Sequence, residues 1–423
     1  MNSQNPSAMR LVVFLKIGVI ALLAAATTFA QKGGASPSSR CNAAAADPIS
    51  YVPLPGHPFS TIASVDGCWL FVSVTSANPR STNGVAILSR AGGHITLKKV
   101  VPVEASPTGM VMTHDGQILI VADDDNVVFL DVSHMITGRG DPILGYISDG
   151  DFSGSVYANV TTDDKILFVS DENTETITVI NLEKARAEGF KDTAKVGKIA
   201  TGAAPIALTF SPDGRWLYTT SQSAPKSFNW PIACKPEGQD PSTAKPQNPE
   251  GAIIVVDVAR ARTDPAHSVV AKVPAGCSPV RLAISPSGDR VFVTARNSNA
   301  LLAFDTTALR TDIEHARIGT VPVGTSPVGV AVANEGKLVF VTNSNRFSSN
   351  RTARQTLTVI DALNVGAGQA AILGSVPAGA FPREFGQSPD GQTLFVANYN
   401  SNELEVIDLK RLPLDRTKPR ASQ

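Results

Sequence analysis

The chain is expected to be all-β, a seven-bladed β-propeller of four-stranded antiparallel blades, and three observations lead there. A Ser-Pro-Asp-Gly-like turn recurs near Gly67, Gly116, Asp164, Gly214, Gly288, Gly336 and Gly391, at spacings of 49, 48, 50, 74, 48 and 55 residues. After each turn comes an apolar run such as Val291-Phe292-Val293-Thr294 or Leu394-Phe395-Val396-Ala397, and then a second run that in several copies ends in Asp. A Val-Pro pair closes the repeat in five places, at Pro53, Pro102, Pro274, Pro322 and Pro377. A period near fifty made of short strands and turns belongs to a propeller or similar array.

Taken in order, residues 1–30 read as a cleavable signal peptide. Arg10 and Lys16 precede the apolar stretch Ile17 to Phe29, and Thr28 and Ala30 supply small residues before Gln31. An uncleaved anchor is the rival, because Leu11 to Ala30 is interrupted only by Lys16. Residues 31–47, rich in Ser, Gly and Ala, form a flexible leader, 48–409 the propeller, and 410–423 a C-terminal tail. Within a blade, strands run a to d from the axis outward. Strands b and c are continuous apolar runs, as burial on both faces by stacked blades demands. Strand d carries the Val-Pro pairs, since proline lacks a ladder N–H and is tolerated only at an edge. The last repeat has no strand d, whereas Ser50-Tyr51-Val52-Pro53-Leu54 is a strand d without a preceding strand c. The N-terminal strand is therefore expected to complete the seventh blade and close the ring.

Thirty-seven basic residues balance thirty-seven acidic ones, so no global field draws the chain to nucleic acid. Membrane association is expected only if the N-terminal segment stays uncleaved. The four cysteines contain no C-x-x-C spacing, which removes haem attachment and zinc knuckles. In an exported protein they are expected to pair. Cys234 and Cys277 fall in b–c and d–a connections of adjacent blades, which share a face. Cys41 enters the closing strand from the opposite face, where Cys68 sits in an a–b turn. Topology thus predicts Cys234–Cys277 and Cys41–Cys68.

The strand-b runs Phe292-Val293-Thr294-Ala295, Phe340-Val341-Thr342-Asn343 and Phe395-Val396-Ala397-Asn398 resemble the YVTN-type β-propeller repeat family over about residues 48–409. That resemblance implies the fold and an extracytoplasmic, secreted or periplasmic setting. It names no activity, because relatives by fold range from surface-layer proteins to lactonases.

The repeats serve as their own control for function. Residues common to every blade, such as the Asp or Asn ending strand c, are structural, and departures in one blade are candidates for a site. Two residues after the proline of strand a, which Ser155 replaces in blade 3, the seven copies read Ser60, Gly109, Tyr157, Ala207, Arg281, Gly329 and Glu384. Tyr157, Arg281 and Glu384 depart and are expected to face the central channel. The loop-rich face adds Asp123, Asp171, Arg296, Asn343 and Asn398. The long insertion in blade 4 adds Trp230, with Phe228 beside it, as a wall over the channel mouth. These are ligand-binding candidates; no catalytic or metal-binding residue is assigned. The expected role is a binding or scaffolding module outside the cytoplasm that acts through its loop-rich face on a small polar ligand or a protein partner. The alternative is a lactonase-like hydrolase in which a channel-mouth carboxylate cluster, with Glu384, holds a divalent ion such as Ca²⁺. No cofactor is otherwise expected.

Overall fold

Seven four-stranded antiparallel sheets succeed one another around an axis, each with its strands in chain order except the last. The computed structural model describes residues 41–43, 45–76, 83–239 and 242–416; the signal-peptide assignment lies outside them. The innermost strands a are His57–Ala63, Pro107–Met112, Ser155–Val160, Ala203–Phe210, Pro279–Ile284, Pro327–Ala333 and Pro382–Gln387. In blade 7, strands Pro382–Gln387, Thr393–Asn398 and Glu403–Asp408 are completed by the N-terminal strand Ile49–Pro53. Ile49 lies opposite Ile407 and Pro53 opposite Glu403, so the ring closes as the strand inventory requires. All five Val-Pro prolines end outermost strands.

The blades are held together by two repeated devices. Phe71, Phe168, Phe292, Phe340 and Phe395 on strands b are wholly buried between neighbouring sheets; each such burial is worth about 1.5–3 kcal/mol. A hydroxyl on strand b also stitches most seams. Thr220 Oγ1 accepts the Ala207 N–H of its own blade and donates to the Val280 carbonyl of the next at 2.8 Å. Thr294 does the same between Arg281 N–H and the Val328 carbonyl, and Ser73 between Ser60 N–H and the Thr108 carbonyl. Blade 7 has Ala397 at this position. Its seam with blade 1 is instead joined by His57, whose Nδ1 lies 2.8 Å from the Tyr399 carbonyl and whose ring stacks on Tyr399.

The acids ending strand c cap the helical turns that leave the blade. Asp131, Asp257, Asp305, Asp361 and Asp408 each accept an N–H two or three residues on, so their recurrence is structural. The turn of blade 3 has no glycine, and Asp164 itself adopts a φ of 53° there. Two disulfides are formed, Cys41–Cys68 and Cys234–Cys277, with Cα separations of 4.8 and 5.5 Å. The start of the tail is engaged rather than free. Leu412 and Leu414 pack on the core between blades 6 and 7, Asp415 bridges to Ser375, and Arg411 donates to the carbonyls of Ala45 and Ala46.

Candidate functional site

Each strand a descends from the loop-rich face, where the d–a and b–c connections lie, to the a–b turns on the opposite face. The residue after its proline, or after Ser155 in blade 3, stands at the axis near the loop-rich end. Phe59, Val156, Ile206, Val280 and Val328 occupy this level and, with Phe381, form one buried apolar cluster that plugs the channel. Blade 7 departs from the pattern, because Arg383 stands at this level.

Directly beneath the plug lie the three symmetry-breaking residues that the sequence singled out, and they meet. Arg281 Nε is 2.5 Å from Glu384 Oε2, with the two side chains 4% and 7% exposed. The guanidinium lies 4.6 Å from the Tyr157 ring centroid. Blade 2 has glycine at this level because a Cβ on Gly109 would collide with the Tyr157 ring. Burial, and then the Glu384 carboxylate, raise the Tyr157 hydroxyl far above its ordinary range, so the ring is a neutral lid on the cation. These residues line a cavity of about 320 Å³ together with Leu282–Ile284, Ala331, Val332 and Phe385–Gln387. The cavity runs along the strands toward the a–b turns. The Arg281–Glu384 pair therefore faces the side opposite the loops, a correction to the expectation that Glu384 joins the acids of the loop-rich mouth.

The loop-face candidates are dispersed among structural duties. Asp123 accepts the Ala105 N–H, and burial pushes its carboxyl up to about 6. Asp171 accepts from Thr176, Thr178 and Lys198 Nζ. Its neighbour Asp149 is raised by burial and by the Asp171 charge, and holds Ser155 at 2.5 Å. Asn343 accepts the Gly324 N–H and donates to Thr356 and Thr358, while Asn398 donates to Glu405. Arg296 forms a two-toothed pair with Glu237 and a bond to Gln222, so it clamps the blade 4 insertion to the rim. Trp230 packs edge-on to Phe228, whose ring carries Lys272 of the outermost strand of blade 4. That placement is the outer side of the blade, a correction to a wall over the mouth. A cation shared by Glu384 and the loop acids does not fit: Glu384 is paired with Arg281, and Asp123, Asp125 and Asp171 serve separate backbone and side-chain donors. Among the described residues, no group of three or more His, Cys, Asp or Glu side chains converges as a metal site.

Sequence reasoning missed the residues that make the loop-rich mouth distinctive. Arg383 lies 3.8 Å from the Phe59 centroid, 5.3 Å from Tyr399 and 5.7 Å from Phe381. Arg346, in the b–c loop of blade 6, lies 5.9 Å from the same Phe381 and 5.3 Å from Phe347. The insertion reaches this loop, since a Cβ on Gly238 would touch the Phe347 ring. A signal for Arg383 exists in the repeats: one residue past the proline of strand a, or past Ser155 in blade 3, the copies read Phe59, Thr108, Val156, Ile206, Val280, Val328 and Arg383, a lone cation in a mainly apolar ring.

The fold and the channel define a class, a seven-bladed propeller with a sealed axis and a cationic, aromatic mouth. A family model described as lactonase, 7-bladed beta-propeller, matches residues 251–412. No curated protein matches the chain. Among solved structures, Kuenenia stuttgartiensis hydrazine synthase is similar with a TM-score of 0.62 at 20% identity, covering 86% of this chain and 98% of that one. A chain of the crystal structure of the mitotic checkpoint complex gives 0.60 at 12% identity, covering 95% and 99%. At these identities the likeness is one of fold.

Proposed function

We propose that the protein is an extracytoplasmic binding or scaffolding module, of the YVTN-like propeller type, that meets its ligand or partner on the loop-rich face. The observation that carries this reading is the ion pairing of Glu384 with Arg281 inside the channel. A carboxylate that activates water must reach both that water and the substrate, and this one is buried, ion-paired with Arg281 and shut off from the loop-rich mouth by the apolar plug. The two disulfides fit an oxidising compartment, which supports the exported setting. The match to the lactonase family model makes hydrolysis the competing activity. Purified protein is expected to leave a panel of γ- and δ-lactones unhydrolysed, with or without added Ca²⁺ or Mn²⁺. Native mass spectrometry is expected to find a bound small molecule or a partner. Lactone turnover that disappears in Glu384→Gln would replace the binding reading by the hydrolase.

A further inference from the structure

Four arginines lie on or near the channel, and they divide by partnership. Arg281 is paired with Glu384 and Arg296 with Glu237. Arg383 and Arg346 have no carboxylate within ion-pairing distance among the described residues, and no side-chain hydrogen bond of either is formed there. Arg383 Nε is enclosed from solvent without a partner. Burying an unpaired guanidinium is costly, and aromatic faces offset only part of that cost. Both guanidiniums are also pushed below their ordinary basicity, Arg383 by burial and then by Arg281 and Arg346, and Arg346 by burial and then by Arg296, with Glu172 opposing in both and Glu237 in the second without reversing the direction. Two partly desolvated cations around one phenyl ring are a repulsive arrangement that an anion between them relieves.

We propose that the loop-rich mouth is an oxyanion site, in which Arg383 and Arg346 together take a carboxylate or phosphate group of a small organic molecule. The inference rests on the reading of this face as the binding face and names the ligand class for it. Arg383 comes from a strand and is wedged by Phe59, Phe381 and Tyr399, so its guanidinium is pre-oriented and little entropy is lost on binding. The fork of a guanidinium matches a carboxylate or phosphate edge in a way an ammonium does not. Arg346 enters from the loop of blade 6 and brings Phe347 with it. The Cys234–Cys277 bridge and the Arg296–Glu237 clamp hold the insertion along that rim.

Calorimetric titration and thermal melting of the full chain with inorganic phosphate and, separately, with benzoate test this, chloride at equal ionic strength being the control. Saturable binding of at least one oxyanion and a raised melting temperature are expected. Arg346→Gln should weaken binding about ten- to hundredfold, the size of a lost charge-assisted hydrogen bond, and Arg383→Met should abolish it. Phosphate binding alone points to a phosphorylated ligand, and benzoate binding to an organic acid. If Arg383→Met loses its near-ultraviolet circular dichroism, Arg346→Gln in the loop decides. No response to either oxyanion, or unchanged affinity in a folded variant, overturns the site. A copurifying ligand whose retention ignores both substitutions would overturn it too while leaving the binding-module reading intact. Lactone turnover that disappears in Glu384→Gln would remove that reading without touching the oxyanion site.

Discussion

The two ends of the channel use the same materials to opposite effect. Beneath the plug, Arg281 meets an aromatic ring and a carboxylate, and the charge is cancelled within the fold. Above it, Arg383 meets three aromatic rings and, among the described residues, no carboxylate within ion-pairing distance, although the Glu172 charge reaches it. Channel cations, Arg281 buried and Arg383 half-buried, thus have two fates in one structure. A paired one is a fastener between blades 5 and 7, whose removal leaves a stranded charge; an unpaired one destabilises the empty fold and gains from a partner that arrives from outside.

The largest expected effect tests that contrast directly. Glu384→Gln leaves Arg281 buried without its counter-charge and should cost about 3–5 kcal/mol in denaturant unfolding. Arg383→Met, which removes a cation that already lacks a partner, should be neutral or stabilising. Equal destabilisation by the two substitutions would show that both arginines are structural and that the distinction between the two ends is empty.

The disulfides sharpen the comparison at the next scale, because one lies at each end. Their loops of 27 and 43 residues correspond to about 3.5 and 4 kcal/mol of loop-closure entropy. Replacing Cys41 and Cys68 by Ala releases the segment that enters the closing strand, so the whole of that loss is expected in global stability. Replacing Cys234 and Cys277 frees the insertion on the mouth. Its effect should be seen chiefly as protease cleavage within residues 235–249 and as weaker oxyanion binding, with a smaller change in the melting temperature. A larger global loss from the second pair would mean that the insertion belongs to the folding core.

Much of this organisation is legible in the amino-acid sequence. Repeats report whatever every blade must do, so the period, the edge prolines and the orphan strand at Ser50–Leu54 suffice for blade number and closure. The cysteine pairs are readable because a propeller allows only two faces for connections. Tyr157, Arg281 and Glu384 emerge from comparing one level of strand a across the blades, and they meet because that level converges on the axis. Arg383 is overlooked one level higher, where a bulge at the start of each strand a turns successive residues toward the channel. Arg346 and the reach of the insertion are not readable, since loops of unequal length share no register. The acids of the loop face draw attention by charge alone, yet Asp123 and Asp171 each commit one oxygen to backbone, hydroxyl or ammonium donors that only the folded chain brings near, the other oxygen being buried without a partner.

The smallest effect concerns a third kind of buried charge, an acid without a cation. Glu405 is fully buried in strand c of blade 7, opposite Tyr51 of the closing strand, and accepts from Asn398. Arg354 stands nearby but bonds Glu403, at 3.3 Å. Burial therefore dominates and pushes the Glu405 carboxyl up from 4.5 to about 7, the Asn398 bond opposing it. A carboxyl raised in the folded state binds its proton more tightly there than in the unfolded chain. Its contribution is accordingly fully present below about pH 4.5 and is lost as the pH rises toward 7. The loss is of the order of 3 kcal/mol at most, at about 1.4 kcal/mol per pKa unit. It falls on the strand pair that closes the ring. Glu405→Gln should match the wild type near pH 4.5 and exceed it in stability at pH 8, with hydrogen exchange of Ser50–Val52 slowed at the higher pH. Parallel pH profiles for the two proteins would show that Arg354, despite its bond to Glu403, already compensates the Glu405 charge.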